Sequence, residues 1–261
     1  MPDVTTPYAP GTPCWIDLAA PDQKAAIDFY SGLLGWTGEI GPPETGGYAV
    51  CQLNGKPVAG IMAAVAMGDQ PAPPTVWTTY LTSADAEASQ RSVASAGGTV
   101  LMPVMDVMSL GRMFIAADPT GAVFGVWQPL DFPGAGVVNE TGALIWNELS
   151  TTDRSAASAF YRAAFGIEST AMEGAAHYYA LQVDGRPVGG MQPMPEHLPA
   201  DTPSHWLTYF AVADTDAAVA KVTAAGGSAI MEPFDMIAGR MAVVTDPQGA
   251  VFAMIHPKPM E

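Results

Sequence analysis

Cationic residues are scarce in this chain, and so are cysteine and histidine. Lys and Arg number 10 against 26 Asp and Glu in 261 residues, a formal net charge of −16. So little positive charge excludes a nucleic-acid backbone as partner and disfavours an anionic membrane surface. A neutral or cationic small molecule is compatible, and the acidity also serves solubility. The two cysteines, Cys14 and Cys51, both lie in the first half, which leaves no disulfide framework. The four histidines, His177, His197, His205 and His256, all lie in the second half. The first half therefore has no histidine with which to build a metal site. No run of 18 or more apolar residues occurs, so no membrane span is expected. The stretch from Met1 to Pro7 has neither a basic start nor an apolar run, so no signal peptide is expected and the expected location is cytoplasmic. No Ser-His-Asp or Cys-His constellation stands out. The glycines from Gly185 to Gly190 fall between strands, the wrong context for a dinucleotide site.

What the chain does have is apolar residues, 49% of the total and spread along its length, enough for a core in each half. It also repeats itself at an offset of about 130 residues. Cys14-Trp15-Ile16-Asp17-Leu18 returns as Ile145-Trp146-Asn147-Glu148-Leu149, and Phe29-Tyr30 as Phe160-Tyr161. Asn54-Gly55-Lys56-Pro57-Val58 returns as Asp184-Gly185-Arg186-Pro187-Val188, and Trp77-Thr78-Thr79-Tyr80 as Trp206-Leu207-Thr208-Tyr209. Gly111-Arg112-Met113 returns as Gly239-Arg240-Met241, and the Asp118-Pro119-Thr120-Gly121 turn as Asp246-Pro247-Gln248-Gly249. Pro133, Gly134 and Gly136 punctuate the join, which divides the chain into units 1–132 and 133–261.

Each half has the same local order. A strand at Trp15 to Ala19 precedes a helix that starts at Asp22, carries Ala26, Phe29, Tyr30 and Leu33 at helical spacing, and stops at Gly35. Tyr48 to Leu53 and Val58 to Ala64 read as strands joined by the Asn54-Gly55 turn. After a loop bearing Pro71, Pro73 and Pro74, Val76 to Thr82 reads as a strand and Ala84 to Ala96 as a helix. Further strands follow around Val104, at Met113 to Ala116, and at Val123 to Gln128. The expectation is an α+β chain of four βαβββ modules, forming two curled mixed sheets with a cavity each.

That ordered set, occurring twice from Gly11 to Pro257, resembles the vicinal oxygen chelate superfamily. This group includes glyoxalase I, the bleomycin- and fosfomycin-resistance proteins and the extradiol dioxygenases. The likeness is greatest to two-domain actinobacterial members of the kind encoded in antibiotic clusters, such as those of anthracyclines. In metal-dependent members the ligands come from the first, fifth and last strands of a domain. By the resemblance these positions fall on Trp15, Trp77 and Gly125 in the first half and on Trp146, Trp206 and Ala253 in the second. None of these offers a metal a lone pair, so no metal and no cofactor is expected.

Alternate residues of a strand share a face. The expected pocket of the first half is therefore Trp15, Asp17, Trp77, Thr79 and Gly125, and that of the second is Trp146, Glu148, Trp206, Thr208 and Ala253. Two indoles beside one carboxylate would make a slot for a planar aromatic molecule, an aminated one included. The same indoles would equally serve as plain core. Arg112 and Arg240 read as loop anchors, and Tyr48 and Tyr178 as hydroxyl donors near the pocket. Two functions stay open. The first is a binding protein that sequesters or carries an antibiotic or biosynthetic intermediate. The second is a metal-free enzyme with Asp17 or Glu148 as general base for enolisation, cyclisation or a hydroxylase-type step. A metal-dependent lyase or dioxygenase fits least. The fused halves already supply a pseudo-dimer, so a monomer or weak homodimer is expected.

Overall fold

Four helices among the described residues carry one start signal. Asp22 precedes α1 (Gln23–Leu34), Asp85 precedes α2 (Ala86–Ser95), Asp153 precedes α3 (Arg154–Phe165) and Asp214 precedes α4 (Thr215–Ala224). Each aspartate accepts a hydrogen bond from the backbone N–H three residues on, which satisfies a donor the helix itself leaves unpaired. Gly35 and Gly166 end α1 and α3 in the left-handed conformation that favours glycine. The structure, a computed structural model, describes residues 3–66, 72–196, 198–199 and 201–258. Pro71 and His197 lie outside these.

The strands of the first half are β1 (Pro13–Ala20), β2 (Ala49–Leu53), β3 (Lys56–Ala63), β4 (Trp77–Thr82), β5 (Thr99–Val107), β6 (Gly111–Ala117) and β7 (Val123–Pro129). They form one mixed sheet in the order β2-β3-β1-β4-β7-β6-β5. The second half contributes β8 (Leu144–Thr151), β9 (Glu168–Ala171), β10 (Tyr179–Val183), β11 (Arg186–Pro193), β12 (His205–Ala211), β13 (Ser228–Met236), β14 (Gly239–Thr245) and β15 (Val251–Pro257). Their order is β13-β14-β15-β12-β8-β11-β10-β9, and neither sheet closes into a barrel. Three of the four modules are complete βαβββ units. In the first, the strand after the helix is reduced to a single bridge between Thr37 and Gln52.

The two sheets turn one face toward each other, with the helices between them. Ile16 and Leu18 of β1 share a core with Tyr30 of α1, Val219 of α4, and Phe210 and Phe252 of the second sheet. Leu81 and Phe124 of the first sheet share another with Phe160 and Tyr161 of α3 and with Trp206. The repeated motifs meet across this layer. Tyr30 Oη donates to Asp246 Oδ2 of the opposite half at 3.1 Å and accepts from Trp77 Nε1 at 3.0 Å. In the other copy Trp206 Nε1 donates to Tyr161 Oη at 2.9 Å. There burial, and after it the Asp118 charge, raises the pKa of Tyr161, while Asp118 Oδ2 takes no hydrogen bond among the described residues.

This arrangement corrects part of the expected pockets. Trp77, Thr79, Trp206 and Thr208 do not share a face with Trp15 and Trp146. In the antiparallel pairing of β1 with β4, Trp15 lies opposite Tyr80, and Asp17 opposite Thr78. Trp146 lies opposite Tyr209, and Glu148 opposite Leu207. A one-residue offset moves every side chain of a strand to the other side. Trp77 and Trp206 therefore point into the interdomain core. Thr79 Oγ1 donates to Asn147 Oδ1 across the same layer at 2.8 Å.

Candidate functional site

The outer face of each sheet, turned away from the partner domain, gathers one carboxyl, two phenols and an indole. In the first half Asp17 is 3% exposed. Tyr80 Oη donates to Asp17 Oδ2 at 2.9 Å, Tyr48 Oη donates to the same oxygen at 3.4 Å, and Trp15 Nε1 donates to Tyr48 Oη at 2.8 Å. In the second half Tyr209 Oη donates to Glu148 Oε1 at 2.9 Å and Trp146 Nε1 to Tyr178 Oη at 2.9 Å. The Gln192 amide adds a second donor to the carboxyl, reaching Glu148 Oε1 at 2.7 Å. The first half has Met62 at the matching place on β3, and there Asp17 Oδ1 is buried with no hydrogen bond among the described residues.

Glycines make room for these phenols. A Cβ built on Gly60 would overlap the Tyr48 hydroxyl, one on Gly125 the Tyr80 ring, and one on Gly190 the Tyr178 hydroxyl. So Gly125, where the family's metal ligand would stand, leaves space that Tyr80 occupies. Ala253 pairs with Tyr209 in the same register. Gly60→Ala is expected to destabilise the fold by about 1–3 kcal/mol through overpacking and to push Tyr48 off Asp17. Chemical denaturation measures the first effect, and the Trp15 indole N–H resonance reports the second. A variant that matches the parent in both would contradict the close approach.

Burial dominates the electrostatics. It pushes the Asp17 pKa up to about 7 despite hydrogen bonds from Tyr80, Tyr48 and Thr78. Burial also raises Glu148, against hydrogen bonds from Tyr178 and Tyr209. The phenols of Tyr48, Tyr80 and Tyr209 rise through burial and then through the adjacent carboxylate charge. Among the described residues no salt bridge reaches either carboxyl. Arg112 pairs instead with Asp106 and Glu87, and Arg240 with Asp216 and Asp235, at exposed sites. A carboxyl titrating near neutral pH among phenols can accept or donate a proton or a hydrogen bond.

The metal positions can now be placed on the correct face. Trp15, Thr78 and Gly125 stand there in the first half, and Trp146, Leu207 and Ala253 in the second. One threonine hydroxyl is the only oxygen among these six side chains, a donor set that does not fit a divalent metal. Among the described residues no group of three His, Cys, Asp or Glu is close enough to hold an ion. Gln192 is one site residue that sequence reasoning missed, and Tyr80 and Tyr209 are two more. A signal for the two tyrosines exists: Trp15 and Trp146 each lie seven residues before a helix-capping aspartate. The same count back from Asp85 and Asp214 reaches Thr78 and Leu207, which puts Tyr80 and Tyr209 on the outer face.

Two tandem domains, each an open mixed sheet with its polar cluster on the outer face, define the class. Residues 14–126 and 143–254 both match the Glyoxalase/Bleomycin resistance protein/Dioxygenase superfamily, and the chain belongs to that superfamily. It is 44% identical to CFP32 of Mycobacterium bovis, provisionally named a glyoxylase, across 97% of this chain and 98% of that one. It is 38% identical to the anthracycline biosynthesis protein DauV of Streptomyces sp. (strain C5), across 96% of this chain and 95% of that one. Its fold is similar to the Mn(II)-bound glyoxalase from Novosphingobium aromaticivorans, with a TM-score of 0.63 at 16% identity, covering 95% of this chain and 82% of that one. It is also similar to the 2,3-dioxygenase LapB from Pseudomonas sp. KL28, with a TM-score of 0.61 at 15% identity, covering 97% and 96%. At such identities the likeness is one of fold. No helix among the described residues is long and apolar enough to cross a membrane.

Proposed function

We propose that the protein binds a small planar aromatic molecule without a metal, on the outer face of a sheet, and serves sequestration or a natural-product pathway of the kind named for its anthracycline relatives. The observation that carries this reading is the carboxyl–phenol–indole cluster standing where the superfamily places its metal. It offers a flat apolar floor with one buried acceptor at its centre. The excess of acidic residues favours a ligand that is neutral or carries an amine.

Titration with hydroxylated anthraquinones, followed by tryptophan fluorescence, tests it. Saturable quenching at about micromolar ligand, unchanged by EDTA, is the expected outcome. Absence of saturable quenching by every member, or binding that EDTA abolishes and one divalent metal restores, would sink the proposal.

A second reading is favoured by one feature, the Asp17 pKa near 7. A metal-free enzyme would use Asp17, or Glu148, to take a proton from a phenol or from a carbon beside a ketone. Turnover that falls by orders of magnitude in an Asp17→Asn, Glu148→Gln double variant would favour this reading. A loss confined to affinity would favour binding.

A further inference from the structure

The N-terminal outer face already holds an aromatic ring, and it belongs to the chain itself. Phe132, in the linker after β7, packs edge-on against Trp15 with ring centroids 4.9 Å apart at 90°, and against Trp127 at 6.1 Å and 78°. The linker is anchored on both sides of that ring. Trp127 Nε1 donates to the Phe132 carbonyl at 2.8 Å, and Phe132 N–H donates to the Leu110 carbonyl at 3.0 Å. Farther on, Ala135 N–H donates to the Cys14 carbonyl at 2.8 Å and Gly136 N–H to the Pro57 carbonyl at 2.7 Å. Tyr8 Oη donates to the Ala135 carbonyl at 2.8 Å. Gly134 has φ +113°, and a Cβ there would overlap the Cys14 carbonyl, so the chain passes β1 at a distance that glycine permits. Phe132, Ala135, Val138 and Tyr8 all join the outer-face cluster from outside the sheet.

The C-terminal outer face has the same floor without that cover. Every member of its apolar cluster belongs to the sheet's own strands, β8 and β12 to β15. Trp146 is half-buried, whereas Trp15 is 5% exposed. Glu148 accepts at Oε1 from Tyr209 and Gln192, and the Tyr178 phenol lies beside the same carboxyl. The internal repeat makes Phe132 a template, since its ring shows what the shared Trp–Tyr–carboxyl floor accommodates.

We infer that the C-terminal outer face, built on Trp146, Glu148, Tyr178, Gln192 and Tyr209, is the one that takes a ligand from solution, and that Phe132 is a built-in plug of the N-terminal face. The ligand class follows from the floor. It is an aromatic ring seated edge-on to the indole, with a hydroxyl or amine at its rim donating to the Glu148 carboxyl. This assignment rests on the binding reading above and adds which face is used.

The test is fluorine NMR of protein labelled with 5-fluorotryptophan, its six tryptophan signals assigned by single Trp→Phe changes. The probes are 2-naphthol and a neutral soluble gadolinium chelate. With 2-naphthol the Trp146 signal is expected to shift at one equivalent per chain while the Trp15 signal stays put. Phe132→Ala should add Trp15 to the shifting signals and raise the stoichiometry to two. Glu148→Gln should weaken binding about tenfold. A Trp15 shift in the unaltered protein, or two equivalents bound without the Phe132 change, overturns the assignment. The chelate separates the two claims: should 2-naphthol not bind, selective broadening of Trp146 over Trp15 keeps the plug and removes the ligand reading. Equal broadening of both signals in the unaltered protein removes the plug, and it needs no variant to fold.

Discussion

Replacing Tyr30 with alanine lowers the unfolding free energy by about 3–5 kcal/mol, the cost of deleting a large, fully enclosed aromatic ring. Tyr30 is 0% exposed. Its ring lies 5.1 Å from Trp77, 5.6 Å from Trp36 and 5.6 Å from Phe252, with Phe210 at 6.4 Å. Two of those four neighbours come from the other half of the chain, so the loss strikes the interdomain layer as well as the first domain. Tyr30→Phe isolates the polar part. It keeps the ring and leaves the Trp77 N–H and Asp246 Oδ2 without their shared partner. That change costs about 1–3 kcal/mol, the penalty for buried groups left unpaired. Urea denaturation of both variants against the parent measures the two losses. If the alanine variant loses less than about 1 kcal/mol, the layer between the sheets is not a packed core.

Stability falls as the pH rises from about 4 to 7, and Asp17 is the main reason. In the unfolded chain its carboxyl ionises near its ordinary value of 3.8, but in the folded chain burial holds the proton up to about pH 7. Across that window the folded state binds a proton that the unfolded state has already released, so acid favours folding. The contribution is fully present below the unfolded pKa, is lost as the pH climbs, and is gone above the folded pKa. About three pKa units correspond to at most about 4 kcal/mol. Glu148, also raised by burial, acts with the same sign. The repulsion of a chain with net charge −16 also grows with pH, so the decisive comparison is with Asp17→Asn. That variant keeps an oxygen for Tyr80 and has no proton to lose. Urea midpoints at pH 5 and pH 8 should differ clearly less in it than in the parent. Equal slopes for the two proteins would mean that Asp17 is not the buried acid described above.

Both expectations concern residues that the sequence displays openly, yet each needed the fold to acquire its meaning. The Phe-Tyr pair and the Asp-Pro-x-Gly turn recur in both halves as motifs, and repetition marks them as structural. Nothing in the one-dimensional pattern says that Tyr30 of one copy reaches Asp246 of the other. Asp17 was recognisable as a carboxylate between apolar strand residues, and Trp15 as its neighbour on the same face. The family resemblance puts Trp77 and Thr79 on that face of β4, one residue out of step with the pairing to β1. Strand alternation is unforgiving of such an offset, and it exchanged Trp77 and Thr79 for Thr78 and Tyr80. The capping aspartates, seven residues beyond the outer-face position in all four modules, held the correct register.

By itself the sequence determined the duplicated α+β architecture, the helix starts and stops and the hairpin turns. These follow from local propensity, periodicity and residue chemistry, which act over a few positions and survive duplication. Only the tertiary structure decided which tyrosines surround each carboxyl, that Trp77 and Trp206 pack between the domains, and that Phe132 sits on Trp15. Those depend on strand register and on a linker folding back across a sheet, contacts between residues distant in the chain. Their energy comes from shape and burial, which no local pattern encodes.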